Sequence, residues 1–451
     1  MVAYAPMDSP TSGVASAPSG ERRLLRAIGT LGLAAGIINI TVGGGIFRLP
    51  ADVAGSLGAS APLAYLACSL AMGLIVLCFA DAGSRVSLTG GPYAYVGVAF
   101  GPFAGFMTGV LLWLLGTFAT AAVSTVFAAG IGRLVPSLAS GAGRAGVLMA
   151  EFAILAAINI RGVRQGARIG NVLTAAKLFP LLLLAIAGLF AMKGENLRVE
   201  QLPPPGVLAR TSLLLMFAYS GVETALVPSG EVQDPARTVP RAILMAMVGI
   251  TALYVLLQLV SQGVLGAGLA ASKSAPLADA AGIALGGWGR ALLLAGATIS
   301  TLGHNAGMTL AVPRALYAFA RDGYLPSPIA AVHPRFATPH VAIAAQSTLV
   351  CLLAITSSFE KLAILANVSV LLMYGACCVA AWALRRRGVS QGGTPFQVPL
   401  PWLVPWLACA VILWMLSDVH SDEWFALGVC LVGAVVVFLA TRRSRARMAL
   451  R

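Results

Sequence analysis

The sequence predicts an all-α integral membrane protein in which two of the membrane helices are interrupted. Of the 451 residues, 58% are hydrophobic and only 10% are charged, whereas soluble domains typically carry about 25% charged residues. Apolar windows of the length needed to cross about 30 Å of hydrocarbon recur along the chain. These windows lack the period-two alternation of barrel strands, so a helical membrane fold is predicted.

Twelve apolar windows predict twelve transmembrane helices. They cover residues 27–54, 60–83, 100–131, 146–160, 168–192, 211–232, 241–266, 286–318, 341–358, 362–384, 402–417 and 424–440. Seven cysteines lie inside these windows, which argues against a disulfide framework.

Two windows contain residues that break a membrane helix. The first holds three consecutive glycines, Gly43, Gly44 and Gly45, and each glycine in a helix costs about 1 kcal/mol relative to alanine. The sixth window, 211–232, carries a matching interruption at 218–224. Interruptions at corresponding places in two halves of a chain indicate the binding site of a secondary transporter. Close helix packing through glycine is the alternative interpretation.

The interruptions predict a ligand with both a carboxylate and an ammonium group. Unwound backbone is tolerated in a bilayer only where it lines a cavity or binds a ligand. Amides from Gly43 to Ile46 suit a carboxylate, and freed carbonyls at Phe217, Ala218 and Tyr219 suit an ammonium group. The candidate substrate-binding residues are Ile40, Val42, Gly43, Gly44, Gly45, Ile46, Phe217, Ala218, Tyr219, Ser220, Gly221 and Glu223.

Five segments resemble motifs of the amino acid, polyamine and organocation (APC) transporter superfamily. They are Gly43–Pro50, Gly90–Val96, Phe217–Ala225, Gly230–Pro240 and Pro313–Pro326. This resemblance implies two inverted repeats of five helices, discontinuous first and sixth helices, two additional helices, and alternating access around a site between the discontinuous helices.

The resemblance and the windows together predict the organisation of the chain. The cytoplasmic leader covers 1–26, the first repeat covers 27–192 and an external linker covers 193–210. The second repeat covers 211–387, the last two helices cover 388–441 and a basic cytoplasmic tail covers 442–451.

Lys177 lies within the fifth window. A lysine near the middle of a membrane costs about 2.5–3.5 kcal/mol on insertion scales, so it usually has a partner or a function. Snorkelling towards the membrane surface is the structural alternative. The resemblance implies instead that Lys177 replaces a sodium ion and contacts carbonyls around Ile40 to Gly43. We therefore expect Lys177 to be the proton-coupling residue, while proton symport and exchange both stay open.

Three other intramembrane polar residues have competing interpretations. Glu223 is expected either to bind a substrate cation or sense pH, or to cap a half-helix. Arg48 is expected to pair with Glu223 or Asp52, to attract an acidic substrate, or to snorkel outward. His304 is expected either to relay protons or to form a satisfied buried pair with Asn305.

The distribution of arginine predicts the orientation in the membrane. Basic clusters fall in alternate loops and at both ends, including 22–26, 385–387 and 442–447. By the positive-inside rule both termini are cytoplasmic, and the protein is expected to lie in the inner or plasma membrane. The net charge of +14 is therefore attributed to topology and lipid contact rather than to nucleic-acid binding.

The sequence contains no recognisable constellation of catalytic residues. Four scattered histidines show no metal-ligand spacing, and no phosphate-binding Gly-Lys-Ser/Thr loop is present. We therefore expect no enzyme activity, no metal and no cofactor. The expected partners are an amino acid or amine substrate, membrane lipids and, as a candidate coupling ion, the proton.

The resulting prediction is a sodium-independent, proton-coupled secondary transporter of amino acids. An amino acid/amine exchanger or a polyamine carrier is the alternative within this class. A membrane sensor built on a transporter fold is the alternative from another class.

Overall fold

A computed structural model describes residues 29–441 apart from 89, 162–163, 200–201, 227–231, 337, 392 and 418. The predicted leader (1–26) and basic tail (442–451) lie outside the described residues. The α-helices are α1 (Thr30–Thr41), α2 (Gly45–Leu57), α3 (Ala61–Arg85), α4 (Pro92–Phe100), α5 (Pro102–Leu134), α6 (Gly141–Arg161), α7 (Arg164–Ala191), α8 (Pro205–Tyr219), α9 (Val222–Ala225), α10 (Pro235–Leu265), α11 (Gly268–Ala271), α12 (Pro276–Leu285), α13 (Gly287–Ala311), α14 (Pro313–Arg321), α15 (His340–Thr356), α16 (Phe359–Arg386), α17 (Val404–Leu416) and α18 (Ser421–Ala440).

Each predicted window coincides with one helix or with one interrupted pair. The first window contains α1 and α2, the sixth contains α8 and α9, and the other windows coincide with α3, α5, α6, α7, α10, α13, α15, α16, α17 and α18. The short helices α4, α11 and α12 lie between them, and α14 begins inside the eighth window, directly after α13. In the described residues, six segments are long and apolar enough to cross a membrane: α2 continuous with α3, α5, α6, α10, α16 and α18. The count of twelve spans stays a prediction.

Helices α5 and α16 form the centre of the bundle. In each of them, 78% of the most apolar stretch is buried inside the protein, against 22% for α6 and 11% for α18. Helix α16 packs on α5 and α3, α1 packs on α10, and α2 packs on α8. These contacts bring the two interrupted segments together in the interior.

Both interruptions lie where the sequence predicts them. Helix α1 ends at Thr41 and α2 begins at Gly45. Helix α8 ends at Tyr219, and α9 begins at Val222 after Gly221, which has a φ of +131°. Because glycine alone adopts such a φ readily, Gly221 makes this second interruption possible.

Candidate substrate site at the paired helix breaks

The two helix breaks open onto one cavity of about 340 Å³. The lining residues from the breaks are Ile40, Thr41, Gly43, Gly44, Gly45, Phe217, Ser220, Gly221 and Glu223. Helix α5 adds Leu115, Ala119 and Val123, and α13 adds His304 and Met308.

The start of α2 presents backbone amides at the cavity. The Gly43 amide donates to the Thr41 carbonyl over 2.8 Å, which leaves Gly44, Gly45 and Ile46 at the helix start. No side chain caps this end of α2. The first N–H groups of a helix lack intrahelical acceptors and carry the positive end of the helix dipole. This end of α2 is therefore chemically suited to a carboxylate.

The glycines at this break are closely packed against side chains of other helices. A Cβ atom on Gly44 would lie 3.1 Å from Val123, and one on Gly45 would lie 3.1 Å from Phe217. A Cβ atom on Gly43 would lie 3.0 Å from Nδ1 of His304. Side chains at these positions would fill the space between the first break and its neighbours.

The end of α1 is held by two buried side chains. Lys177 of α7 donates from Nζ to the Asn39 carbonyl, and Tyr254 of α10 donates from Oη to the Thr41 carbonyl over 3.1 Å. Lys177 is only 2% exposed, so its amino group lies inside the protein and does not snorkel. The contact with the unwound first helix falls at Asn39, one residue before the expected span from Ile40 to Gly43.

Glu223 fixes the geometry of the second break. Its carboxyl accepts from the Gly221 amide over 2.8 Å and from Oη of Tyr374 in α16 over 2.5 Å. Ser220 adds a hydrogen bond from Oγ to the Phe217 carbonyl over 2.9 Å. Glu223 is 1% exposed and also lines the cavity. It therefore caps the break, as one sequence-based interpretation expected, while its position leaves it next to any ligand.

The two breaks touch through their backbones. A Cβ atom on Gly221 would lie 3.0 Å from the Thr41 Cα and 3.0 Å from Ile40 Cγ2. The two breaks therefore leave no room for a side chain between them at Gly221.

Five predicted site residues do not line the cavity. Val42 and Ile46 are fully buried, and Ala218 packs against Gly45. Lys177 donates to the Asn39 carbonyl of α1 and does not line the cavity. The Tyr219 hydroxyl lies 2.7 Å from Ser69 Oγ, and its ring packs edge-on against Tyr254. These residues position the breaks rather than face the cavity.

Arg48 pairs with Asp52 rather than with Glu223. Its Nε donates to Asp52 over 3.2 Å, and its guanidinium lies 5.8 Å from the centroid of the Phe359 ring. Phe359 packs edge-on against Phe217 at 5.6 Å between centroids. Aromatic contact thus connects the cavity wall to the charged pair at Arg48.

Sequence reasoning missed the contribution of α5 and most of that of α13. Leu115, Ala119, Val123 and Met308 are ordinary apolar residues of membrane helices, and no local signal distinguishes them. His304 was identified as polar, but its position against Gly43 depends on helix packing.

Membrane-length helices surrounding a cavity at two touching helix breaks define a multi-pass membrane protein of the transporter type. Residues 28–445 match the model of the amino acid permease family. The chain belongs to this family and, with it, to the APC superfamily.

Curated relatives extend over almost the whole chain. A methylthioribose transporter of Bacillus subtilis is 27% identical and aligns over 95% of this chain and 96% of its own. A branched-chain amino acid permease of the same organism is 26% identical, with 95% and 96% covered. A serine/threonine exchanger, also from Bacillus subtilis, is 27% identical, with 91% and 95% covered. These relatives are named as transporters, a permease and an exchanger, not as enzymes.

Proposed function

We propose that this protein is a secondary active transporter that moves amino acids across the cytoplasmic membrane by alternating access. The proposal depends chiefly on one observation: the start of α2 and the end of α8 line the same cavity. The amides of Gly44 and Gly45 hold the substrate carboxylate, and the Phe217 carbonyl accepts from its ammonium group. The sequence-based candidates Ile46, Ala218 and Tyr219 support these groups from outside the cavity lining. The names of the branched-chain permease and the serine/threonine exchanger support this substrate class.

The proposed topology has twelve spans and cytoplasmic termini. The first repeat covers 27–192 and the second covers 211–387, with 193–210 as the external linker and 388–441 as the last two helices. Corresponding breaks near the start of each proposed repeat support this division.

The proposed coupling ion is the proton, and the proposed coupling residue is Lys177. Its ammonium group supplies a positive charge to the carbonyl end of α1, where the resemblance to the superfamily implies that it replaces a sodium ion. Lys177 therefore makes coupling independent of sodium. Release of its proton weakens the contact with Asn39 and frees α1 to move.

An amine or another substrate without a carboxylate is the second candidate. A relative is named as a methylthioribose transporter, and two others are named as arginine/agmatine antiporters. Such a substrate would leave the amides of Gly44 and Gly45 without a ligand.

The test is uptake of a radiolabelled amino acid panel into proteoliposomes that contain the purified protein. Each amino acid is measured with and without an inward proton gradient, an inward sodium gradient and unlabelled substrate inside. We expect stimulation by the proton gradient only. Stimulation by internal substrate alone would instead establish an exchanger. No amino acid uptake by folded protein, together with uptake of methylthioribose or polyamines, would support the second candidate, and uptake of none of these would support a sensor.

The variant Lys177→Ala tests the coupling residue. We expect loss of the stimulation by the proton gradient, while the purified protein still elutes as a folded species. Lys193→Ala is the matched control, because Lys193 is exposed and its backbone bond to Gly263 is kept in alanine. Stimulation of Lys177→Ala equal to that of the control would leave Lys177 with a structural role only.

A further inference from the structure

A buried carboxyl lies outside the candidate substrate site, halfway along α6. Glu151 is 4% exposed, although α6 is among the least buried of the membrane-length helices. The other buried residues of this helix are Leu148, Phe152, Leu155 and Asn159. Their spacing places them on one stripe of the helix together with Glu151. Glu151 therefore faces the protein interior rather than the lipid.

The carboxyl belongs to a small polar cluster that joins three helices. Nδ2 of Asn305 in α13 donates to Glu151 Oε1 over 2.6 Å and to Ser124 Oγ of α5 over 2.9 Å. Both hydrogens of the Asn305 amide are thus used. Asn305 and Ser124 are fully buried.

The cluster has more acceptors than donors. Glu151 Oε2 and Asn305 Oδ1 are buried and accept no hydrogen bond within 3.5 Å. The Ser124 hydroxyl is a neutral donor beside the carboxyl. None of the ion pairs among the described residues includes Glu151. A buried carboxylate without a positive partner is strongly disfavoured, so this group requires a proton or a cation. The described residues also contain no group of His, Cys, Asp and Glu side chains that could hold a metal ion.

The cluster is connected to the substrate site through α13. Asn305 directly follows His304, which lines the substrate cavity and lies against Gly43. Consecutive residues of a helix point in different directions, so α13 presents His304 to the first break and Asn305 to Glu151. A change in the hydrogen bond between Glu151 and Asn305 therefore acts on the helix segment that carries His304.

A second cavity of about 180 Å³ lies beside the cluster. Phe152, which follows Glu151, is one of its lining residues, and hydroxyl and amide groups come from Thr120, Thr309, Gln346 and Ser347. Polar groups of this kind are the partners that buried water requires. Through Phe152 and Thr309 this polar-lined space lies one residue along α6 from Glu151 and one helical turn along α13 from Asn305.

We propose that Glu151 is a second proton-binding site, separate from the substrate cavity, which takes up and releases one proton in each transport cycle. This inference rests on the proposed transport function. A proton from water joins the Glu151 carboxylate to give the neutral acid, which still accepts from Asn305 at Oε1. Release of that proton to water restores the carboxylate. The two forms hold Asn305, and with it the His304 segment of α13, in different arrangements.

Few other titratable groups face this site. Helix α15 contributes Cys351, whose thiol interacts electrostatically with Glu151. On α13, His304 faces the first break instead of Glu151 and interacts there with Lys177 of α7. Helix α5 contributes the hydroxyl groups of Ser124 and Thr120, which do not titrate near neutral pH. Glu151 is therefore the acid of this cluster.

The test compares Glu151→Gln with wild type in the same proteoliposomes. Glutamine keeps an oxygen for Asn305 and permanently imitates the neutral acid. We expect exchange of external label for internal substrate to persist, because exchange needs no net proton movement, and stimulation by a proton gradient to disappear. Asn159→Ala is the control: Asn159 lies on the same stripe of α6, and its side chain donates only to the Leu155 carbonyl of its own helix.

Infrared difference spectroscopy across a pH titration gives a readout that does not depend on transport. We expect a buried carboxylic-acid C=O band in wild type and in Asn159→Ala that is absent from Glu151→Gln. If the glutamine variant does not fold, Glu151→Asp replaces it, and the band should shift.

Three outcomes would overturn the proposal. The first is a gradient response of Glu151→Gln equal to that of wild type, and the second is an unchanged C=O band in both variants. The third is a sodium gradient that drives uptake in wild type but not in Glu151→Gln, which would assign the site to sodium. Absence of uptake in wild type, with the Glu151 band present, would refute the proposed function and leave proton binding at Glu151 intact.

Discussion

At the scale of single residues, the site depends on a few buried polar groups with defined partners. Glu223 accepts hydrogen bonds from Gly221 and Tyr374, and Lys177 donates to Asn39. Each bond is made to a residue at a helix break or across to another helix. Removal of one partner leaves a polar group buried and unsatisfied, which costs about 1–3 kcal/mol.

The variant Glu223→Gln separates cation recognition from capping. Glutamine can still accept from the Gly221 amide, and its amide group can donate to Tyr374 Oη, so we expect the protein to fold. Glutamine cannot take on the negative charge that a cationic substrate side chain would favour at Glu223, so uptake of cationic amino acids should fall relative to neutral ones. Competition assays against one labelled substrate measure this ratio. An unchanged profile would leave Glu223 with the capping role alone.

The variant Gly44→Leu tests the assignment of the cavity. A side chain here would collide with Val123 and Thr301, which lie 3.1 and 3.3 Å from a Cβ atom. The added side chain occupies space that the substrate needs, and a loss of about 1.4 kcal/mol or more in substrate binding should lower uptake about tenfold or more. Gly36→Leu is the control, since a Cβ atom on Gly36 meets nothing within 4 Å. Equal uptake by the two variants would refute the assignment.

At the scale of elements, the two helices are interrupted by different local features, and both interruptions line the same cavity. The first break uses three small residues so that α5, α8 and α13 can approach closely. The second uses one positive φ at Gly221 and a carboxyl cap from Glu223. Sequence reasoning located both breaks because glycine is a local signal. It did not predict the short helices α4, α11 and α12 between the windows, and it did not separate α14 from α13 within the eighth window.

The variant Gly221→Ala tests the coupling between the breaks. Alanine here combines a φ of +131° with a Cβ atom 3.0 Å from the Thr41 backbone. Gly388→Ala is the control for backbone strain alone, because Gly388 has a φ of +64° in open space. We expect the control to lose about 1 kcal/mol of stability and to keep transport. Gly221→Ala should lose more stability in thermal unfolding and lose transport; equal effects would mean that the breaks are not coupled.

At the scale of the whole molecule, a buried ion cluster joins α3 and α16 near the ends of both helices. Asp81 of α3 accepts from Arg85 over 2.7 Å and from Arg385 of α16 over 3.0 Å. The segment after α16 is attached to the same place, because Gln391 donates to the Arg85 carbonyl and Phe396 donates to Ser84 Oγ. Among the described residues, this is the ion cluster with the most buried carboxylate.

The variant Asp81→Asn should destabilise the fold. It leaves Arg85 and Arg385 without their buried anion, and breaking a buried pair costs about 3–5 kcal/mol. Asp322→Asn is the control, because its pair with Arg321 is exposed and exposed pairs contribute about 1 kcal/mol or less. Thermal unfolding in detergent measures both changes. Similar melting temperatures for the two variants would show that the cluster does not hold α3 and α16 together.

The sequence by itself determined the membrane class, the positions of the helices and the two breaks. A bilayer imposes length and hydrophobicity on each span separately, so these properties are local. The family resemblance named at Gly43–Pro50 and Phe217–Ala225 was confirmed by the family match over residues 28–445.

The tertiary structure alone decided which side chains meet. Leu115, Ala119 and Val123 of α5 line the cavity. The Tyr219 hydroxyl contacts Ser69 instead of the cavity, and Lys177 contacts the carbonyl of Asn39. The tertiary structure also brought Glu151, Ser124 and Asn305 together. Lipid tails are as apolar as leucine, so the lipid-facing and protein-facing sides of a membrane helix have similar composition. The rotation of each helix, and every contact that depends on it, is therefore fixed by packing.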